Sequence, residues 1–156
     1  MVALYTGQRR GDVLSLTWDK YTGTHIIVRQ SKTGVALKIP VHSDLTAYLD
    51  GLDRKSPDGK ITLMIVPSKT GKRWDVSAFR RAFRSALDAS GLGSDVQFHG
   101  LRKNTASLLA EAGCTQHEIQ AITGHKTSEM VSHYTEEADR EIMSSAAIKK
   151  FEARNK

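Results

Sequence analysis

The sequence predicts a mainly α-helical α+β domain carrying a small antiparallel β-hairpin or three-stranded sheet near its N-terminus. Apolar residues recur at helical spacing over most of the chain. Two strand-like runs flank the turn sequence Ser31-Lys32-Thr33-Gly34. With 156 residues, 39% of them hydrophobic and 26% charged, the chain is sized for one core of its own.

The elements follow in order. Val2, Ala3 and Leu4, then Val13, Leu14 and Leu16, flank Thr6-Gly7-Gln8-Arg9-Arg10-Gly11, which reads as two helical pieces around a glycine-marked bend. Arg9 and Arg10 fall at that bend. Thr24 to Arg29 is rich in β-branched residues and Val35 to Val41 alternates apolar with polar side chains, so Lys32 sits on the hairpin turn. A helix from Ser43 aligns Leu45, Tyr48, Leu49 and Leu52 and stops before the turn cluster Ser56-Pro57-Asp58-Gly59. Ile61 to Val66 is a short apolar run ended by Pro67, and the basic loop Ser68-Lys69-Thr70-Gly71-Lys72-Arg73-Trp74 follows it.

The next helix is striped by Phe79, Phe83 and Leu87, and its flank carries Arg80, Arg81 and Arg84. Gly91 to Ser94 breaks the chain. Three shorter helices are expected at Gly100 to Ala112, Gln116 to Ile122 and Thr127 to Tyr134, and a last one at Glu136 to Phe151. The carboxylates Glu136, Glu137, Asp139 and Glu141 read as the acidic first turn of that last helix, where they oppose its dipole.

Charge narrows the partner. Lys and Arg number 23 against 17 Asp and Glu, a net charge of +6, which favours a polyanion such as nucleic acid. The single cysteine, Cys114, excludes an internal disulfide framework and any zinc site built on several thiolates, and fits a reducing compartment. No run approaches about 18 uninterrupted apolar residues, and the N-terminus carries neither a basic leader nor a long apolar block. A cytoplasmic protein without membrane spans is expected. His117, His125 and His133 recur every eight positions, which is not the spacing of a helical ligand pair. Ser68-Lys69-Thr70-Gly71-Lys72 has the wrong order for a nucleotide-binding loop, and no tight carboxylate set for two metals is present. Trp18, Trp74 and Cys114 read as packing residues.

Chemistry-bearing residues stand out as a set. His99 and Arg102 are three apart, which on a helix points both toward one ligand. Arginines with planar forks hold the charge that gathers on the non-bridging oxygens of a phosphodiester under attack. A phenol, Tyr134, follows nine positions after His125.

In their order and spacing these residues resemble the catalytic domain of the tyrosine recombinase, or phage integrase, family. Thr6-Gly7-Gln8-Arg9-Arg10-Gly11-Asp12-Val13-Leu14 resembles its first arginine box, with Asp12 in place of a more usual glutamate. Lys32 resembles its hairpin lysine, His99-Gly100-Leu101-Arg102 its histidine and second arginine box, and Gly124-His125 its second histidine or tryptophan position. Tyr134 falls where the nucleophile belongs. The resemblance covers nearly all of the chain and implies an integrase-type DNA breaking-rejoining fold with no cofactor. It implies that Tyr134 attacks a phosphodiester, giving a 3′-phosphotyrosine and a free 5′-hydroxyl, and that a 5′-hydroxyl from another strand reverses the step. Arg9 and Arg102 would grip the phosphate, His99 accept the phenolic proton, Lys32 protonate the leaving oxygen, and His125 donate a hydrogen bond or brace the site.

The partner implied is double-stranded DNA. Arg10, Lys69, Lys72, Arg73, Arg80, Arg84, Lys103 and Lys126 are the candidate DNA-contacting residues. Family members carry earlier catalytic-domain helices and a separate N-terminal DNA-encircling domain, so residues 1–156 read as an N-terminally truncated catalytic domain of bacterial or phage origin. The final helix resembles the segment that family members dock onto a neighbouring subunit. The rival readings are a type IB topoisomerase-like relaxing enzyme, which shares the chemistry, a catalytically weak DNA-binding fragment, and a phosphodiesterase that never rejoins the ends.

Overall fold

The protein is described by a computed structural model over residues 1–55, 59–93 and 95–154. The side chains at 137, 141 and 154 lie outside the described residues, as do Ser56-Pro57-Asp58 of the expected turn cluster and Ser94 of the expected break. Seven α-helices are described, α1 (Val2–Thr6), α2 (Arg10–Val13), α3 (Ser43–Asp50), α4 (Val76–Ala89), α5 (Gly100–Glu111), α6 (Gln116–Thr123) and α7 (Glu129–Arg154). Strands β1 (His25–Arg29) and β2 (Ala36–Pro40) lie between α2 and α3 and pair antiparallel, with Ile26 opposite Ile39 and Val28 opposite Leu37.

Alternation decides the hairpin's faces. Ile26 and Val28 of β1 and Ile39 of β2 point into the core, while Lys38 faces out. They join Val2, Val13, Leu16, Leu45, Leu49 and Ile65 in the first hydrophobic cluster. A second cluster, Ala106, Ala110, Ile119, Val131 and Ala138, is built where α5, α6 and α7 meet, and Leu109, Cys114 and Tyr134 pack on it. Helix α5 is the hub, touching α1, α6 and α7. Small alanines at its contact positions let the neighbouring helices approach closely.

Local chemistry starts and stops the helices. Thr115 and Glu118 form a reciprocal capping box at the head of α6, and the Asp75 carboxylate accepts from the Ser77 and Ala78 amides at the head of α4. Helix α6 ends on Gly124 at φ 70°, a left-handed conformation that favours glycine.

Two expectations are corrected. The helices expected at 127–134 and 136–151 are joined in one, α7, which starts at Glu129 and runs 26 residues, because Thr135 carries helical geometry through the expected break and is itself buried. Glu136 and Asp139 therefore lie in the helix interior and not in a first turn, so they do not oppose the dipole. Glu137 and Glu141 of that group have side chains outside the described residues. Of the two expected forms of the sheet, the hairpin is the one present, since the run 61–66 contributes only isolated bridges, Ile61 to Lys55 and Met64 to Thr17. Trp18 packs on the first cluster with the Arg54 guanidinium 4.2 Å above its ring, and Trp74 meets Phe79 edge-on at 5.6 Å. No helix among the described residues is long and apolar enough to cross a membrane.

Candidate active site

The bend between α1 and α2 exists because Gly7 adopts φ 61°, and a Cβ there would lie 3.1 Å from Thr123 and 3.2 Å from Thr105. That close approach lets α5 and the end of α6 grip the bend. From α5, Arg102 runs through the interior at 3% exposure and donates from Nη1 to the Gly7 carbonyl at 2.7 Å and to the Thr123 carbonyl. Its Nη2 is buried without a partner. Gln8, also buried, donates to the carbonyls of Thr6 and Ile122 at 2.8 and 2.9 Å.

Arg9 caps the start of α2 and its Nη1 donates to Gln30 Oε1 at 2.7 Å. Gln30 itself is buried, and its Nε2 donates to Gln8 Oε1 at 2.8 Å and to the Thr123 carbonyl at 2.7 Å. The Thr33 hydroxyl donates to Gln30 Oε1 at 2.7 Å. Asp12 fixes the other side of the Lys32 turn, its Oδ1 accepting from the Ser31 amide and hydroxyl, both at 2.8 Å. Lys32 is exposed at the tip.

His125 follows the left-handed Gly124. Its Nδ1 lies 2.8 Å from the Thr123 hydroxyl, whose single hydrogen is already donated to the Ile119 carbonyl at 2.6 Å. The imidazole must therefore be the donor in that contact, with hydrogen on Nδ1 and the Nε2 lone pair free to accept. Burial, then the charges of Arg102, Arg9 and His99, push its pKa down to about 4, so the ring is neutral at neutral pH. His99, at the head of α5, is held below its ordinary value by partial burial and then by Arg102, Lys103, Arg9 and Lys32.

Several of these groups influence one another electrostatically. Arg102 is pulled down to about 10 by burial and by Arg9, against the opposing influence of Asp12 and Tyr134, and it stays protonated at neutral pH. Arg9, Arg102, His99 and His125 act on one another, Lys32 reaches His99, and Tyr134 reaches Arg102. Tyr134 is half-buried in the second turn of α7, with the His133 ring 4.1 Å from its own.

The candidate DNA-contacting residues gather differently. Arg10, Arg80 and Arg84 line a cavity of about 320 Å³ floored by Phe79, Phe83 and Phe98. Lys69, Lys72 and Arg73 line a separate concavity with Arg81. Lys103 and Lys126 are exposed beside Arg102 and His125. Among the described residues no three His, Cys, Asp or Glu side chains converge as metal ligands. Gln8, Gln30 and Thr123 had no signal in the sequence that marked them, because uncharged polar residues in turns are ordinary until their burial is known.

Fold and site together define a helical protein whose phenol, imidazoles and cations are drawn from five separated segments. The chain belongs to the phage integrase family, whose sequence model matches residues 1–141. It is 32% identical over 148 residues to the integrase of Escherichia phage lambda, covering 90% of this chain and 41% of that protein. The structure of the lambda integrase catalytic core is similar with a TM-score of 0.63 and 32% identity, covering 80% of this chain and 75% of that one. A lambda integrase tetramer bound to a Holliday junction gives a TM-score of 0.64 at 31% identity, covering 81% of this chain and 39% of that one. The chain thus spans about two fifths of the length of the curated relatives it matches.

Proposed function

We propose that residues 1–156 form the catalytic domain of a site-specific DNA recombinase, which cuts and rejoins strands through a 3′-phosphotyrosine on Tyr134. The observation that carries this reading is the coupling of Arg102, on α5, to Arg9, which caps α2, to Asp12 of α2 and to Tyr134 of α7. A scissile phosphate placed there meets two permanent cations and a nucleophile together.

A Tyr134 Oη–P bond forms as the P–O5′ bond breaks. The phenol must lose its proton, and His99, whose pKa is held down by burial and then by its cationic neighbours, accepts it. Lys32 delivers a proton to the departing 5′-oxygen. Arg9 and Arg102 stabilise the charge on the non-bridging oxygens, and losing one such preorganised donor costs about 2.7–4 kcal/mol of barrier. His125 presents the Nε2 lone pair, so its donation to a phosphate oxygen requires proton uptake on binding. Bond energy is stored in the adduct, so rejoining needs no nucleotide.

The partner is duplex DNA, contacted by Lys69, Lys72 and Arg73 and by Arg10, Arg80 and Arg84, in a bacterial cytoplasm. Self-association on DNA uses the far half of α7, where Ile142, Met143, Ile148 and Phe151 are exposed. The relative seen as a tetramer on a Holliday junction supports both partners.

The test is incubation in EDTA with nicked duplexes whose arms are randomised, followed by denaturing electrophoresis. A covalent protein–DNA band is expected from the parent and not from Tyr134→Phe. A band of equal strength from both proteins, or none from the parent at low salt and high protein concentration, refutes the reading.

A further inference from the structure

We propose that Gln30 is a positioning residue that sets the Arg9 guanidinium and the Lys32 turn in register with the Thr123–His125 segment. The inference rests on the strand-transfer reading and names what organises that site.

A side-chain amide can make four hydrogen bonds, two as donor and two as acceptor. Gln30 makes all four at 1% exposure. Its acceptor oxygen takes Arg9 Nη1 and the Thr33 hydroxyl, one residue from Lys32. Its amide nitrogen holds Gln8 Oε1 and the Thr123 carbonyl, and that carbonyl also accepts from Arg102. The Thr123 hydroxyl in turn fixes the His125 ring. The backbone of Gln30 closes the same turn, receiving the Gly34 amide at 2.8 Å and donating to the Val35 carbonyl at 2.8 Å.

One side chain therefore touches three segments that each carry a candidate catalytic group. A saturated buried amide is an expensive way merely to fill space, because any partner lost leaves a polar group unpaired. Its geometry also explains Gly124, since a Cβ there would fall 2.5 Å from Gln30 Nε2. The room that a side chain would occupy is taken by the amide. Gln30 has its hydrogen-bonding capacity filled by protein groups, so its effect on the reaction passes through Arg9 and the Lys32 turn.

The test compares the full chain with Gln30→Met, which keeps length and removes all four bonds, and Gln30→Glu, which keeps the acceptors for Arg9 and Thr33. The substrate is the nicked duplex recovered from the covalent band, made with either oxygen or sulfur at the scissile 5′ position. A thiolate leaves without a proton, so the sulfur substrate does not need Lys32. Displacements of about 1 Å cost on the order of 10²-fold in such sites. We expect Gln30→Met to slow adduct formation on the oxygen substrate by about 30-fold or more and on the sulfur substrate by several-fold less, with duplex affinity within about threefold of the parent. Gln30→Glu should recover part of the rate. Parent-like rates in Gln30→Met, or equal losses on both substrates in whichever variant folds, overturn the positioning role. A parent that forms no adduct on any duplex overturns the strand-transfer reading itself, and the inference with it.

Discussion

Gly124→Ala puts the packing of the site to a quantitative test. At φ 70° an L-residue costs about 1–2 kcal/mol in a left-handed conformation. The added methyl would also lie 2.5 Å from Gln30 Nε2, 2.8 Å from Gln30 Cδ and 2.9 Å from Leu37 Cδ1. Gln30 ends in a flexible side chain and can retreat, but doing so breaks its bonds to Thr123 and Arg9. Whether the core is overpacked or the amide is stranded, a further ~1–3 kcal/mol follows. Gly34→Ala is the control, because Gly34 has φ 72° and nothing within 4 Å of the point a methyl would occupy, so it carries the conformational cost alone. Urea unfolding at pH 7 should show a loss of about 2–5 kcal/mol for Gly124→Ala and about 1–2 kcal/mol for Gly34→Ala. The first corresponds to a fall in Tm of roughly 4–20 °C for a domain of this size. Equal losses within about 0.5 kcal/mol would mean that the amide is not seated against Gly124, and the described network would be wrong.

Further outcomes follow from individual contacts. Thr115→Ala breaks the capping box of α6 and should cost about 1 kcal/mol in urea unfolding with no change in adduct chemistry. Thr123→Val removes the acceptor for His125 Nδ1–H, so long-range nitrogen–proton NMR should show His125 passing from the Nδ1–H tautomer in the parent toward Nε2–H in the variant; a parent already in the Nε2–H form contradicts the geometry. His125 has a folded pKa of about 4 against an unfolded value near 6.5, so the unfolded chain binds more protons between those values. The stability it contributes is present above about pH 6.5 and lost as pH falls toward 4, by roughly 1–3 kcal/mol after solvent screening is allowed for. His125→Asn should flatten that part of the stability–pH curve, and an unchanged slope would assign the effect elsewhere. The same depressed value means that duplex binding in the parent should take up a proton, visible as buffer-dependent binding heat at pH 6 that His125→Asn abolishes.

Much of this architecture was legible in residue order. The hairpin was readable from the β-branched run at 24–29 and the alternation at 35–41, and the glycine bend from Gly7. Spacing and residue type singled out Arg9, Lys32, His99, Arg102, His125 and Tyr134 through the resemblance, and electrostatic influence links Arg102 with Arg9 and Tyr134, and His99 with Lys32 and His125. The continuity of α7 was not legible, since Thr135 lowers helix propensity and a cluster of carboxylates imitates a helix start. Only its packing against Gln116 and the second cluster overrides that local signal. The run 61–66 has strand-like composition but no neighbouring strand to complete a ladder, which composition alone could not reveal. Gln30 and Thr123 were silent because what distinguishes them is enclosure and hydrogen-bond saturation, and both depend on contacts about ninety positions apart along the chain.

The uninterrupted α7 makes the phenol one arm of a lever. Val131, Thr135 and Ala138 bury one face of its first turns, and the described side chains beyond Ala138 are exposed. With the fulcrum at Ala138 the free arm runs about 24 Å to Arg154 and the short arm about 6 Å back to Tyr134. Were the rod to swing rigidly, a sideways push of about 4 Å at the tip would move the tyrosine by about 1 Å, enough to switch a reaction of this kind between fast and slow. In the proposed reaction, a load on the tail of α7 would therefore reach Tyr134.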